Sequence, residues 1–92
     1  MSGVEFDWDA TNKQHLENYR VITDEFEELM SGHPVYLEYQ TQHDEERYKV
    51  LCATKAGRVL IAVWTPRDGM VRAVTAYAAS RVYRDLYWET QG

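Results

Sequence analysis

Three features of this sequence predict a small α+β domain, an antiparallel sheet of about four strands packed by two N-terminal helices and a C-terminal helix. The first is Arg58–Thr65, where Val59, Leu60, Ile61, Val63 and Trp64 crowd together with no polar alternation. Such a run suits a strand covered on both faces. The second is Pro66-Arg67-Asp68-Gly69. Its proline presets φ and its glycine accepts a positive φ, so Met70–Tyr77 returns as the neighbouring strand. The third is the shortness of the connections, which favours an antiparallel meander. The order read along the chain is β-α-α-β-β-β-β-α, one domain over residues 1–92.

Each element has a local cause. Val4-Glu5-Phe6-Asp7-Trp8 alternates apolar and acidic residues and reads as a short strand. Asp9 follows as an N-cap, its carboxylate facing the free N–H groups of a helix over Ala10–Tyr19, with Leu16 and Tyr19 as the inward stripe. Thr23 is expected to cap a second helix, with Asp24 and Glu25 in the first turn, where the macrodipole favours anions. Phe26, Leu29 and Met30 give that helix its buried stripe, and Ser31-Gly32-His33-Pro34 ends it. Val35–Tyr39 is a strand and Gln40–Glu45 a polar loop. Glu46–Ala53 is a strand with Tyr48, Val50 and Cys52 on one face and Arg47, Lys49 and Leu51 on the other. Thr54–Gly57 turns the chain into the Arg58 strand. After the hairpin, Ser80 starts a last helix whose inner face is expected to carry Val82, Leu86 and Tyr83.

Composition narrows the function. A hydrophobic fraction of 45% supports a packed core. One cysteine excludes an internal disulfide framework and fits a reducing compartment. Cys52 falls in an apolar strand pattern, which suits a buried inert thiol. No apolar run approaches the ~20 residues of a membrane helix and no signal-peptide pattern is seen, so a cytoplasmic chain without a membrane partner is expected. Net charge is −5, but residues 1–46 hold twelve acids and two bases while residues 47–92 hold three acids and eight bases. A basic half suits an anionic partner such as RNA; equally, the two halves would neutralise each other in the fold.

His15, His33 and His43 lack metal-ligand spacing, and the chain has neither a Gly-rich phosphate loop nor a G-x-S-x-G elbow. No cofactor is expected. Arg47 and Lys49 share a strand face, Arg72 lies two strands on, and Arg81 and Arg84 lie one turn apart on the final helix. Guanidinium groups grip phosphate through forked hydrogen bonds. Tyr77, Tyr83 and Tyr87 lie nearby in sequence and suit base stacking. The alternative is a solvated charged face with half-buried tyrosines.

Nearly end to end, the chain resembles the BrnT family, toxins of bacterial type II toxin–antitoxin pairs within the RelE/ParE-like superfamily. Members open with F-x-W-D, matched by Phe6-Asp7-Trp8-Asp9. A helix N-x-x-K-H-G-V follows, matched by His15-Leu16-Glu17-Asn18-Tyr19-Arg20-Val21, and then S/T-F-x-E-A, matched loosely by Thr23-Asp24-Glu25-Phe26. Glu46-Arg47-Tyr48, Gly57-Arg58 and Val63-Trp64-Thr65 answer the family's middle motifs. Arg72, Val74, Thr75-Ala76, Ala79-Ser80, Arg84 and Tyr87 answer its closing R-x-(I/V)-S-A-R-x-A-(T/S)-x-x-E-R-x-x-Y.

The resemblance implies a RelE-like fold and a metal-independent endoribonuclease. It also implies a ribbon-helix-helix antitoxin that neutralises it, with operator DNA reached only through that antitoxin, in a homodimer or hetero-oligomer. Arg72, Arg84, Tyr87 and Tyr77 are then the expected catalytic residues, and Arg47, Lys49 and Arg81 the RNA-binding ones. The departures fall on polar positions. Tyr19 stands for the family's His, Arg20 for its Gly, Tyr77 for an Arg and Tyr83 for a Glu. Tyrosines at these positions suggest a second reading, an inactive protein-binding module that keeps the fold.

Overall fold

The computed structural model describes residues 4–91. Two helices, α1 (Ala10–Glu17) and α2 (Thr23–Ser31), precede four strands, β1 (Val35–Gln42), β2 (Glu45–Ala53), β3 (Val59–Arg67) and β4 (Met70–Ala78), and α3 (Arg81–Thr90) closes the chain. The sheet is antiparallel in the order β1-β2-β3-β4. This is the expected α+β layout.

The strand expected at Val4–Trp8 reduces to one parallel bridge, Phe6 to Val71. Val71 N–H donates to the Glu5 carbonyl at 2.8 Å and Asp7 N–H to the Val71 carbonyl at 2.9 Å. Beyond that bridge the segment serves packing: Phe6 and Trp8 meet the Phe26 ring edge-on at 6.5 and 5.6 Å. Trp8 Nε1 donates to Glu27 at 2.8 Å, tying the segment to α2.

Asp9 caps α1 as expected. Its carboxylate accepts the Asn12 N–H at 2.9 Å, and the Asn12 side chain accepts the Asp9 N–H at 2.9 Å. The helix ends two residues early, at Glu17, in a Schellman turn: Arg20 N–H reaches the Glu17 carbonyl at 2.9 Å and Val21 N–H the Leu16 carbonyl at 3.0 Å. Arg20 holds the left-handed position with φ 59°. Glycine is the usual residue there, which gives a physical reason for the Gly of the resembled motif. Tyr19 therefore lies in the turn and is exposed rather than on a buried stripe. Thr23 is not the cap of α2. Ile22 holds that position, and Glu25 Oε1 accepts its N–H at 3.1 Å.

Two of the three hairpins, β1–β2 and β3–β4, are tighter than expected. His43 and Asp44 have φ 53° and 62°, Asp68 and Gly69 φ 54° and 77°. Two residues at positive φ make the primed turn whose twist matches the flanking strands. Most of the expected loop at Gln40–Glu45 is therefore strand, and so are Pro66 and Arg67.

Leu16, Val21, Phe26 and Leu29 belong to one buried core with Val50, Leu51, Leu60, Ile61, Ala62, Ala73 and Ala76. α1 packs along β4. β3 is buried from Val59 to Ala62, as the unbroken apolar run predicts. Trp64 is only half-buried, stacked on Tyr48 at 4.6 Å, while Thr65 beyond it is buried. The larger correction concerns α3. Val82, Leu86 and Tyr83 face solvent, Val82 with 76% of its surface, and Tyr87 is the buried residue. The rotation is set by a short connection: Ala79 N–H donates to the Val59 carbonyl at 3.0 Å, and Arg84 Nη1 turns back to the Ala79 carbonyl at 3.0 Å.

Candidate functional site

β4 carries Arg72 opposite Thr65 of β3, at the end of the sheet where α1 begins. Its guanidinium is held by Asp9 at 2.7 Å and Asp7 at 3.4 Å, with 17% of its side chain exposed. The Asn12 cap and then Arg72 pull the Asp9 carboxyl below its ordinary value, and the Asp9 hydrogen bond raises Arg72 further. Beside this pair a cleft of about 130 Å³ is lined by Asn12, His15, Glu45, Arg47, Thr65 and Arg72. His15 Nδ1 lies 3.1 Å from the Val74 carbonyl. Arg47 Nε is 2.8 Å from Glu45. Thr65 is 4% exposed, and its Oγ1 is enclosed without a hydrogen-bond partner among the described residues. A hydroxyl enclosed without a partner costs free energy unless something fills the gap.

Arg47 also borders a second groove of about 260 Å³ with Lys49, Tyr48, Val63, Thr75 and Tyr77. Lys49 Nζ lies 3.7 Å from Glu38. Tyr77 meets Tyr19 at 5.9 Å, so the turn after α1 reaches over the groove.

The expected site residues fall into two groups. Arg47, Lys49, Arg72 and Tyr77 share this connected surface. Arg81, Arg84 and Tyr87 do not. They lie on α3, which leaves the sheet at Ala78, six residues from Arg72 and so roughly 20 Å along the strand. Tyr87 is 5% exposed, and its hydroxyl lies 3.6 Å from the Cys52 sulfur. Burial, then Cys52, raises its pKa, and it does not line the cleft beside Arg72. Arg81 is solvated, with only Asp85 near it at 3.9 Å. Cys52 is buried, as expected.

The charge asymmetry resolves in part within the chain. Arg47, Lys49, Arg58 and Arg72 each pair with an acid from the first 46 residues, Arg58 with Glu25 at 3.0 Å. That is the neutralisation alternative, realised for half of the eight bases in residues 47–92.

Sequence reasoning missed His15, Glu45 and Thr65. A signal for His15 was present. It lies four residues before Tyr19, the position matched to the resembled family's His, which is one turn back on the helix the sequence predicts as far as Tyr19. Glu45 and Thr65 had none, because their approach to Arg72 depends on hairpin register.

No known family model matches the chain, and no curated protein matches it.

Proposed function

We propose that this chain is a BrnT-like toxin of a type II toxin–antitoxin pair, acting as a metal-independent endoribonuclease through the cleft between α1 and β4. The observation that carries the reading is the convergence of His15, Arg47 and Arg72 around the unpartnered Thr65 hydroxyl. Cleavage of RNA by its own 2′-hydroxyl needs a base for that proton, positive charge on the phosphate, and an acid for the leaving 5′-oxygen. His15 suits the base. Arg47 and Arg72 suit the phosphate, exchanging Glu45 and Asp9 for phosphate oxygens. The leaving 5′-oxygen takes its proton from solvent water. RNA enters over Lys49 and Tyr77. A ribbon-helix-helix antitoxin and a cytoplasmic location go with this reading.

One observation favours the second reading, an inactive protein-binding module: the three cations of this surface, Arg47, Lys49 and Arg72, already have carboxylate partners. The deciding experiment incubates purified protein with RNA in the presence of a chelator. The toxin reading expects 2′,3′-cyclic phosphate ends. It also expects His15→Ala, a change at an exposed residue, to slow cleavage about 10²–10⁴-fold. Intact RNA, or cleavage unaffected by His15→Ala, would remove the toxin reading.

A further inference from the structure

β1 is the free edge of the sheet. It pairs only with β2, and its outward backbone groups have no partner among the described residues. Natural edges are commonly blunted with lysine or proline. Val35–Gln42 contains neither.

The strand does contain a bulge, between Tyr36 and Glu38. Residues three apart on a regular strand point to opposite faces. Here the irregularity brings both Tyr36 and Tyr39 against Tyr48, with ring centres 6.1 and 5.0 Å away. The Tyr36 ring stands at 85° to Tyr48 and the Tyr39 ring at 47°, so the three form an open corner backed by Trp64. Tyr36 and Tyr39 stay 60% and 53% exposed. A carboxylate completes it: the Tyr39 hydroxyl donates to Glu46 Oε1 at 2.9 Å, and the Tyr48 hydroxyl lies 3.5 Å from the same oxygen.

We propose that the β1 edge accepts an extended segment of a partner protein as a fifth strand, and that the Tyr36–Tyr39–Tyr48–Glu46 corner receives an arginine or lysine side chain of that segment. Charge selects this occupant. Ring faces and a carboxylate attract a cation, and Glu46 with neighbouring Asp44 repels phosphate. Strand addition supplies main-chain hydrogen bonds and sends every second side chain to the tyrosine face. The inference stands apart from the ribonuclease reading, because it uses neither His15 nor Arg72.

The probe is a synthetic peptide of alternating arginine and valine, titrated into the protein and followed by NMR. Saturable binding is expected, weakened about tenfold by Tyr39→Ala and more by Tyr36→Ala/Tyr39→Ala. Replacing arginine with glutamate in the peptide should abolish it. Methylating alternate peptide nitrogens tests the strand pairing on the unaltered protein. One alternating set should abolish binding and the other should leave it. No saturation at about 1 mM peptide, or indifference to both the tyrosines and the methylation, overturns the proposal. Tighter binding of an oligouridylate through the same tyrosines assigns the surface to RNA and overturns it too. So does a concentration-dependent dimer that the double variant abolishes, which would make the occupant a second copy.

Discussion

α1 and α3 lie at opposite ends of the chain and reverse what their sequences suggest. α1 is mostly polar, with one strongly apolar inward residue, yet it is fastened at both ends. The Asp9–Asn12 capping box holds its start, Leu16 is buried in its middle, and the Leu16–Val21 turn closes it. α3 has the clearer apolar stripe, yet Val82 and Leu86 face solvent and Tyr87 alone anchors it in the core. A stripe says that a helix has two sides. Which side faces the sheet is decided by the connection, here Ala79-Ser80 pinned to Val59. The helix that bears on the candidate site is the one with the weaker pattern.

The sharpest break of that comparison is a pair of identical substitutions. Leu16→Ala deletes a fully buried side chain and should cost about 2–5 kcal/mol. Leu86→Ala, on the exposed face of α3, should stay within about 0.5 kcal/mol. Denaturant midpoints of the two variants measure both. Equal losses would mean that α3 packs through its stripe after all. Tyr87→Phe is the next smaller change. It keeps the ring and removes the hydroxyl near Cys52, so a loss of about 1 kcal/mol or less is expected by the same measurement. A loss as large as that of Leu16→Ala would give the hydroxyl a larger part in anchoring α3 than a single weak contact to sulfur allows.

The acid side of α1 provides a pH test. Asp9 titrates below the ordinary carboxyl value when folded, first through the Asn12 N–H and then through Arg72. A depressed carboxyl contributes stability that is complete above its unfolded pKa and is lost as pH falls through the folded value. Asp9→Asn keeps a capping side chain, since Asn caps as well as Asp. The variant should therefore lose less stability than the parent between about pH 5 and about pH 2. Identical acid profiles would show that the contact between Asp9 and Arg72 adds nothing to folding.

The sheet and the order of its strands were legible because they rest on runs and turns, local features that a single sequence carries. Arg58–Thr65 read as covered on both faces, and Val59–Ala62 is buried while Val63 and Trp64 are only half-buried. Asp9 read as a cap and is. What the sequence concealed depended on rotation or register. The outward turn of Val82 and Leu86 follows from two hydrogen bonds at Ala79, its N–H to Val59 and its carbonyl from the Arg84 side chain. The meeting of His15, Glu45, Thr65 and Arg72 needs two hairpins and a helix in one alignment. Tyr36 and Tyr39 share a face only because of a bulge. Four of the seven expected site residues share one surface, since they lie on β2 and β4, the two strands that flank β3. The other three were expected there from their residue types and closeness in sequence as well as from the resemblance, and α3 carries them to the far end.

The smallest expected effect at neutral pH has the opposite sign and tests why α1 stops where it does. Arg20 sits at φ 59° in the turn closing α1, a conformation that costs an ordinary residue about 1 kcal/mol or more. Arg20→Gly removes that strain but gives the unfolded chain more freedom, which returns roughly 0.5–1 kcal/mol. The contact to be kept is a backbone one: the Arg20 carbonyl accepts a hydrogen bond from Arg58 Nη1 at 2.8 Å, and glycine retains that carbonyl. The net gain should therefore be a few tenths of a kcal/mol, read as a slightly higher denaturant midpoint with an unchanged slope. Arg20→Ala serves as the control. It keeps the strain and should show no gain. A glycine variant less stable than the alanine one would mean that the left-handed turn is not what limits this end of α1. The fixed position of Tyr19 over Tyr77, which follows from that turn, would then need another cause.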